Sequence, residues 1–391
     1  MNMTNNENTE EEIPLGLTRG MANLVVDTTS ISLVDGINGN LFYRGINIAE
    51  LVAHASFEET AWLLLCGKLP SKSQLEAFKW GVSTMSRTQE KILRIIEEFP
   101  QNSSPLLILQ TGLASFACID VIDDYLEEEN HLEKVMRIIA QTPVILSAAY
   151  RHHLGVSILE HRNDLNFVDN FIYMLCGKIP SKLQARCMEI ALIIQMDHGF
   201  NSSTFTVRTV ASTLANFYSA VSAGTGALSG PLHGGASELV VEMLQDARAS
   251  GNIKKFVRDL LNSGGKIMGM GHRVYKKVDP RALIFKDLLE QLTPKNEVDS
   301  DLQVLSLIEE EARKYFDEKM LPVFTNVDFW SGAVYRRLGV LPILYPAIFA
   351  VARMIGWCAH ILELRQDNKL YRPKSLYVGE LNVPYVPIIE R

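Results

Sequence analysis

Hydrophobic and polar residues alternate along one short stretch of this chain and recur at helical spacing nearly everywhere else. From Leu24 to Arg44 the segments VVDTTSISLV and LFYRG alternate around Asp35-Gly36 and Asn38-Gly39-Asn40. Period-two alternation with this turn chemistry predicts a hairpin or a small β-meander. From Asn47 the apolar positions fall at i, i+3 and i+4 through IAELVAHA, FEETAWLLLCG and SKSQLEAFKWGVSTMS, with Gly or Pro at the segment ends. Ser104-Pro105 opens an apolar helix through Cys118, and Thr142-Pro143 is expected to open another towards His153. The nonapeptide LLCGKLPSK at 64–72 returns as MLCGKIPSK at 174–182. Each copy reads as a helix end, a CGK turn, a proline and a Ser cap. Two copies make no solenoid, so a reused helix–turn–helix and a coincidence both stand.

Ser181 is expected to cap a helix carrying Ile190, Ile193, Ile194 and Asp197-His198, ended by Gly199. Gly224, Gly226 and Gly230 are expected to break the next helical pattern before PLHGGASELVVEML resumes it. The helices that follow, to about Val327, are shorter and more polar. A chain of 391 residues exceeds what one core usually serves. We therefore expect a disordered tail (1–14), a large helical domain (15–221), a smaller inserted domain (222–330), and a return to the large domain (331–391). The stretch YRPKSLYVGELNVPYVPIIER at the C-terminus carries three prolines and reads as an extended arm, a form often held by a partner subunit.

Composition narrows the class. The 38 basic and 45 acidic residues leave a formal charge of −7, which argues against a general nucleic-acid binder. Five cysteines form no CxxC and no zinc spacing, as expected of buried thiols in a reducing compartment. The polar, acidic start resembles neither a signal nor a transit peptide. The longest apolar run, Leu341 to Leu364, is interrupted by Pro342, Pro346, Arg353 and His360, and Arg353 near its middle weighs against a bilayer span. The expectation is a soluble, cytoplasmic protein.

The candidate chemistry centres on GGKIMGMGHRVYKKVDPRA at 264–282. Glycines before a histidine let backbone N–H groups line a ligand site, His272 can move a proton near neutral pH, and Arg281 offers a fork for a carboxylate. A surface turn with scattered charge is the plainer alternative. His233 is expected in the first turn of a helix, where the dipole keeps imidazole neutral and able to donate; a core histidine bonded to backbone is its alternative. Asp328 in TNVDFWSGAVY is read either as a helix cap or as a base. His198 alone reads as a helix-end histidine, and His152 and His153 as structural. Arg353 in an apolar helix needs an anionic partner, and Arg372 lies in the arm. With Arg281 they could clamp a small dicarboxylate or oxo-acid. Gly269-Met270-Gly271 lacks the βαβ surroundings of a dinucleotide fingerprint.

Taken in order and spacing, PLHGGA, GMGHRVYKKVDPRA, NVDFWSG and RPKS closely resemble the citrate synthase family, in the compact form of many bacteria and archaea. The resemblance runs from about Leu15 to the C-terminus. It implies an all-α fold of two domains per subunit, a homodimer as minimal active unit, and condensation of acetyl-CoA with oxaloacetate. It implies no metal and no cofactor, acetyl-CoA being a substrate. In the roles it implies, His233 hydrogen-bonds the thioester oxygen, Asp328 removes a methyl proton, and His272 binds and protonates the keto group. His198, Arg281, Phe349, Arg353 and Arg372 match substrate-binding positions, Arg372 reaching across from the other subunit. Lys266, Ile267, Met268, Gly269, Met270 and Gly271 match the coenzyme A adenine loop, and Lys276 a phosphate-binding position. Gln195 stands where many relatives carry histidine, and Gly199 where many carry glutamate. A 2-methylcitrate synthase using propionyl-CoA and a non-catalytic binding protein on the same scaffold are the alternatives.

Overall fold

The computed structural model describes residues 19–21, 24–87, 89–120 and 131–391. The stretch 1–14, expected as a tail, lies outside them. Strands β1 (Ser32–Asp35), β2 (Asn40–Tyr43) and β3 (Ile46–Asn47) form one antiparallel sheet in that order, with Asp35 opposite Asn40 at the tight turn. The Asp35 carboxylate closes the turn by accepting from the Asn38 N–H at 3.0 Å and from its side-chain amide at 2.8 Å. Alternation begins at Leu24 but the ladder begins only at Ser32. The earlier residues use their polar groups on distant side chains instead: the Ser30 N–H, for example, donates to Glu363 at 2.7 Å.

The remaining regular structure is helical. The first helices are α1 (Ile48–His54), α2 (Phe57–Cys66), α3 (Lys72–Met85), α4 (Glu90–Glu97) and α5 (Pro105–Phe116). They are followed by α6 (His131–His153), α7 (Phe167–Cys176), α8 (Lys182–Ile193), α9 (Ser202–Ala211) and α10 (Phe217–Leu228). Then come α11 (Ala236–Ala249), α12 (Ile253–Asn262), α13 (Pro280–Leu292), α14 (Asp301–Glu318), α15 (Val327–Arg337) and α16 (Tyr345–Gln366). Helix α16 is the axis of one packing group, touching α2, α5, α6, α8, α9 and α10. Helices α11 to α15 pack mainly on one another and form a second group, joined to the first through α11 on α16 and α13 on α8.

The repeated nonapeptide is one corner built twice. Helix α2 ends at Gly67 (φ 80°) and α3 opens with a Ser71–Gln74 capping box; α7 ends at Gly177 (φ 75°) and α8 opens with a Ser181–Gln184 box. Glycine bears the left-handed angle and the Ser–Gln pair satisfies free N–H groups, so the same letters impose the same turn.

Three local expectations are corrected. Pro143 does not open a helix but lies inside α6; burial of almost the whole segment from Ile138 to Tyr150 holds the helix together across the missing N–H. Gly224 and Gly226 lie inside α10, where a Cβ on Gly224 would sit 2.4 Å from Val207 and 3.1 Å from Trp357. They mark close helix packing, and the helix stops just before Gly230. Helix α8 ends at Ile193, which leaves Asp197-His198 in the following turn.

By length and composition α16 could cross a membrane, yet it is the most buried helix, with Trp357, Cys358 and Ile361 at zero exposure. After it the chain runs without helix or strand from Asn368, exposed from Arg372 onward, to a last short 3₁₀ turn at Ile388–Glu390. At the axis, the Gly356 N–H reaches the Met196 carbonyl at 3.1 Å, and a Cβ there would stand 2.3 Å from that oxygen. Gly356→Ala gains about 1 kcal/mol of helix propensity. Overpacking against a fixed carbonyl costs about 1–3 kcal/mol or more. The expected outcome is a lower urea midpoint at unchanged slope; an unchanged or higher midpoint contradicts this packing account.

Candidate active site

A cleft of about 300 Å³ opens between the two packing groups, lined by His198, His233, His272, Arg281, Asp328, Phe349 and Arg353 among others. The fold therefore gathers all three predicted catalytic side chains and four of the five predicted substrate contacts.

His233 sits in the turn 231–234, ahead of Gly235, the N-cap of α11, and so outside that helix's first turn. The helix start it meets belongs to α9. Its Nε2 accepts from the Ser203 N–H at 3.3 Å and pairs with the Ser203 hydroxyl at 2.8 Å. An Nε2 that accepts a backbone N–H leaves the proton on Nδ1. Burial, with Arg353 nearby, pushes this imidazole down to about 4. It is a neutral donor, through a different helix than expected.

His272 is fixed by its own loop, its Nδ1 accepting from the N–H groups of Val274 at 3.0 Å and Tyr275 at 3.1 Å. Its proton is thereby placed on Nε2. Burial first, and Arg281 second, hold it at about 4. The His198 ring lies 5.4 Å from it, edge-on, with Nε2 at 3.2 Å from the Tyr275 hydroxyl. Burial and the same guanidinium hold His198 well below its ordinary value.

Asp328 is not the cap of α15. Asn326 fills that role, its side chain accepting from the Asp328 N–H at 2.9 Å. The Asp328 carboxylate has no hydrogen-bond partner among the described residues and opens on the cleft. Burial pushes it up to about 6, with Arg281 opposing.

The arginines differ from one another. Arg281 is already forked onto Asp279, Nε to Oδ1 at 3.0 Å and Nη2 to Oδ2 at 2.7 Å, which leaves Nη1 for a ligand. Arg353 is buried, with its guanidinium 4.5 Å from the Phe349 ring centre and Nε donating to the Gln195 carbonyl at 2.9 Å. Its Nη2 is buried without any partner, and burial lowers the group to about 10. A buried guanidinium with an idle donor is a place for an anion.

Arg372 stays on the exposed arm and does not line the cleft. Of the predicted adenine loop only Gly271 lines it; Lys266, Ile267, Met268, Gly269 and Met270 do not. That loop is instead tied to the start of α15, with the Gly271 N–H on Phe324 O at 2.7 Å and the Asn326 N–H on Gly269 O at 2.9 Å. It therefore couples His272 to Asp328. Lys276 is exposed, its side chain away from the cleft lining.

Sequence reasoning missed Asp279, Tyr275, Tyr335 and Arg273. Asp279 was legible as the N-cap in DPR, and Tyr275 followed the histidine by three residues; Tyr335, which donates to the Gln195 side chain at 2.7 Å, carried no local signal. Donor atoms of His198, His272 and Asp279 come within 4.8 Å of one another, a spacing open to a metal ion. They do not fit one. Both Asp279 oxygens are held by Arg281, and His272 Nδ1 by two N–H groups.

Residues 20–374 match the family model described as citrate synthase, C-terminal domain. The chain is 38% identical over 377 residues to the citrate synthase of a Synechocystis strain, covering 95% of this chain and 93% of that protein. It is 38% identical over 375 residues to citrate synthase 2 of Bacillus subtilis, covering 96% and 99%. Its structure resembles a Thermoplasma acidophilum citrate synthase solved with carboxymethyl coenzyme A and oxaloacetate, with a TM-score of 0.90 at 30% identity, covering 96% of this chain and 100% of that one. A two-group, nearly all-helical enzyme with a carboxylate, neutral histidines and arginines in one cleft is the class defined here. The chain belongs to the citrate synthase family.

The ionisation states give a signed expectation. An acid whose folded value, about 6, exceeds its ordinary 3.8 gains stability from its protonated form below 3.8 and loses it as pH rises through 6. Asp328→Asn is therefore expected to raise the melting temperature at pH 8 and to leave it nearly unchanged at pH 3.5. In the wild type, kcat/KM is expected to fall with an apparent pKa near 6 as Asp328 takes up a proton, the histidines staying neutral until about 4. A flat profile down to pH 5 contradicts this assignment.

Proposed function

We propose that Asp328, His233 and His272 perform the condensation of acetyl-CoA, oxaloacetate and water to citrate and CoA, the reaction of this enzyme family. The observation that carries the reading is the Asp328 carboxylate, uncapped, unpartnered and raised, in one cleft with two neutral histidines whose free nitrogens are donors. A thioester methyl is a very weak acid, so a carboxylate removes its proton only if the enolate oxygen is stabilised as charge develops. His233 Nδ1–H supplies that bond. The enol carbon then attacks the keto carbon of oxaloacetate while His272 Nε2–H polarises and protonates the ketone oxygen. Arg353, Arg281 Nη1 and His198 orient the dicarboxylate, with Phe349 stacked beneath Arg353. Water finally cleaves the citryl thioester and releases the CoA thiol.

The finer features of the reading are these. Helices α11 to α15 form the smaller domain; a boundary in the links 229–235 and 338–344, close to the expected 222–330, keeps α10 and α15 whole. The adenine loop 266–271 and Lys276 serve coenzyme A once that domain has closed, which keeps water from the thioester before condensation. The minimal unit is a homodimer. The arm supports it, since Val378, Tyr385 and Ile389 are more than 80% exposed on a segment with no core of its own. Arg372 at its root completes the partner's cleft. The free cysteines accord with a cytoplasmic location.

Release of free thiol from acetyl-CoA, dependent on oxaloacetate, tests the activity directly. Propionyl-CoA in parallel is expected to be poorer by about 10–200-fold, the range one methylene supplies; the reverse order makes the chain a 2-methylcitrate synthase. Asp328→Asn is expected to cut kcat by about 10²–10⁴ with ligand binding retained. For the shared site, His233→Ala and Arg372→Ala, each inactive, are denatured and refolded together in equal amounts. Random pairing makes half the dimers mixed, and Arg372 acting in trans restores about a quarter of all sites. A mixture as inactive as its parents, beside a wild-type control that recovers, assigns Arg372 to its own subunit.

A further inference from the structure

The two histidines on the keto-acid side of the cleft come from different packing groups, His198 from the α8–α9 link and His272 from the α12–α13 link. One small element touches both links. At one end of β1, the Ser32 hydroxyl donates to Asp197 Oδ2 and accepts the Gly199 N–H at 3.0 Å, bracketing His198 on both sides. Strand β2 adds the Tyr43 hydroxyl, which accepts the Asp197 N–H at 3.2 Å. Just past the other end of β1, the Gly36 carbonyl accepts the Lys276 N–H at 2.9 Å. A Cβ on Gly36 would lie 2.4 Å from the Val274 carbonyl oxygen, so the hairpin tip and that loop are in backbone contact. Val274 and Tyr275 supply the two N–H groups that orient the His272 ring.

We propose that the β1–β2 hairpin is the template that sets His198 and His272 at their working separation, with Ser32 and Gly36 as positioning residues. Neither residue lines the cleft, so each acts through another: Ser32 through Asp197 and Gly199, Gly36 through the loop 274–276. The inference rests on the function proposed above, in which these two histidines hold the keto acid while His233 and Asp328 serve the thioester. It therefore carries a selective signature. Removing the Ser32 hydroxyl weakens use of oxaloacetate and spares acetyl-CoA.

Full-length Gly36→Ala, Ser32→Ala and Ser32→Thr test this. Misplacement by about 1 Å costs up to about 10²-fold, so Gly36→Ala and Ser32→Ala are expected to raise the oxaloacetate KM by about tenfold or more, while in Ser32→Ala, which leaves the Lys276 contact in place, the acetyl-CoA KM stays within about twofold. Ser32→Thr, which keeps the hydroxyl, is expected to recover most of the loss. In Gly36→Ala the Lys276 amide is expected to exchange faster while the amides of α16 keep their protection. Unchanged oxaloacetate KM in both alanine variants, an equal rise in both KM values in Ser32→Ala, or failure of threonine to rescue overturns the proposal. If Gly36→Ala does not fold, the Ser32 pair carries the same decision. If the wild type releases no CoA at all, the proposed function falls by itself. The hairpin is then judged by the imidazole NMR signals: the template requires those of His198 and His272 to shift in the variants and that of His233 to stay, and any other pattern overturns it.

Discussion

The structure depends on how one apolar helix disposes of its charges. Helix α16 is buried along most of its length, yet it carries Arg353, His360 and Glu363. Buried charges and hydrogen-bonding groups cannot be left alone in such surroundings, and removing one partner of a buried ion pair costs about 3–5 kcal/mol. The required partners come from far along the chain. His360 Nε2 meets Asp197 Oδ1 at 3.1 Å, while its Nδ1 faces Arg208 at 3.3 Å. Arg208 in turn bonds Glu363 at 3.2 Å, Asp27, and the Tyr371 hydroxyl at 2.9 Å. Satisfying α16 thus brings in the segment before the hairpin, the residue beside His198, and the root of the arm. Arg353 lines the cleft with its buried Nη2 still unpaired.

The chemistry draws on the same economy of contacts. His233 and His272 each have one ring nitrogen committed to a backbone N–H, which frees the other as a donor and makes the neutral form the stable one. Asp328 has its N–H, but not its carboxylate, engaged by the cap of its helix. Burial favours the neutral form of acid and base alike, but it raises Asp328 only to about 6 and lowers His233 and His272 to about 4, so an ionised carboxylate and neutral imidazoles coexist near neutral pH. Such a site is locally destabilising, and the surrounding helices must hold it together.

What could be read from the sequence were the features whose cause is local. The capping boxes at Ser71 and Ser181, the Asp35–Asn40 turn and the near-absence of other strands all follow from neighbouring letters. His233, His272 and Arg353 drew notice because glycine-flanked histidines and an arginine in an apolar run are individually odd, whereas Asp328, His198 and Phe349 were singled out only by the family resemblance. What stayed illegible was decided by distant packing. Pro143 continues a helix because neighbours bury it on every side, and Gly224 is helical because Trp357 needs the space. His233 finds its helix dipole in α9, thirty residues away in sequence. The Arg281–Asp279 fork lies two residues apart but reads equally well as a cap, which it also is.

One of these long-distance contacts bears on how the molecule is made. The Tyr371 hydroxyl donates to Asp27 Oδ2 at 2.7 Å, across 344 positions of the chain. On a ribosome, every side chain that lines the cleft is synthesised before Tyr371, yet the bonds from Tyr371 to Asp27 and Arg208 cannot form until the arm's root has left the exit tunnel. Contacts of this span are slow to form and leave incomplete chains with apolar faces uncovered. A message truncated between codons 354 and 370 thus encodes the whole cleft lining but yields a nascent chain without this last tie, a natural client for chaperones until translation ends.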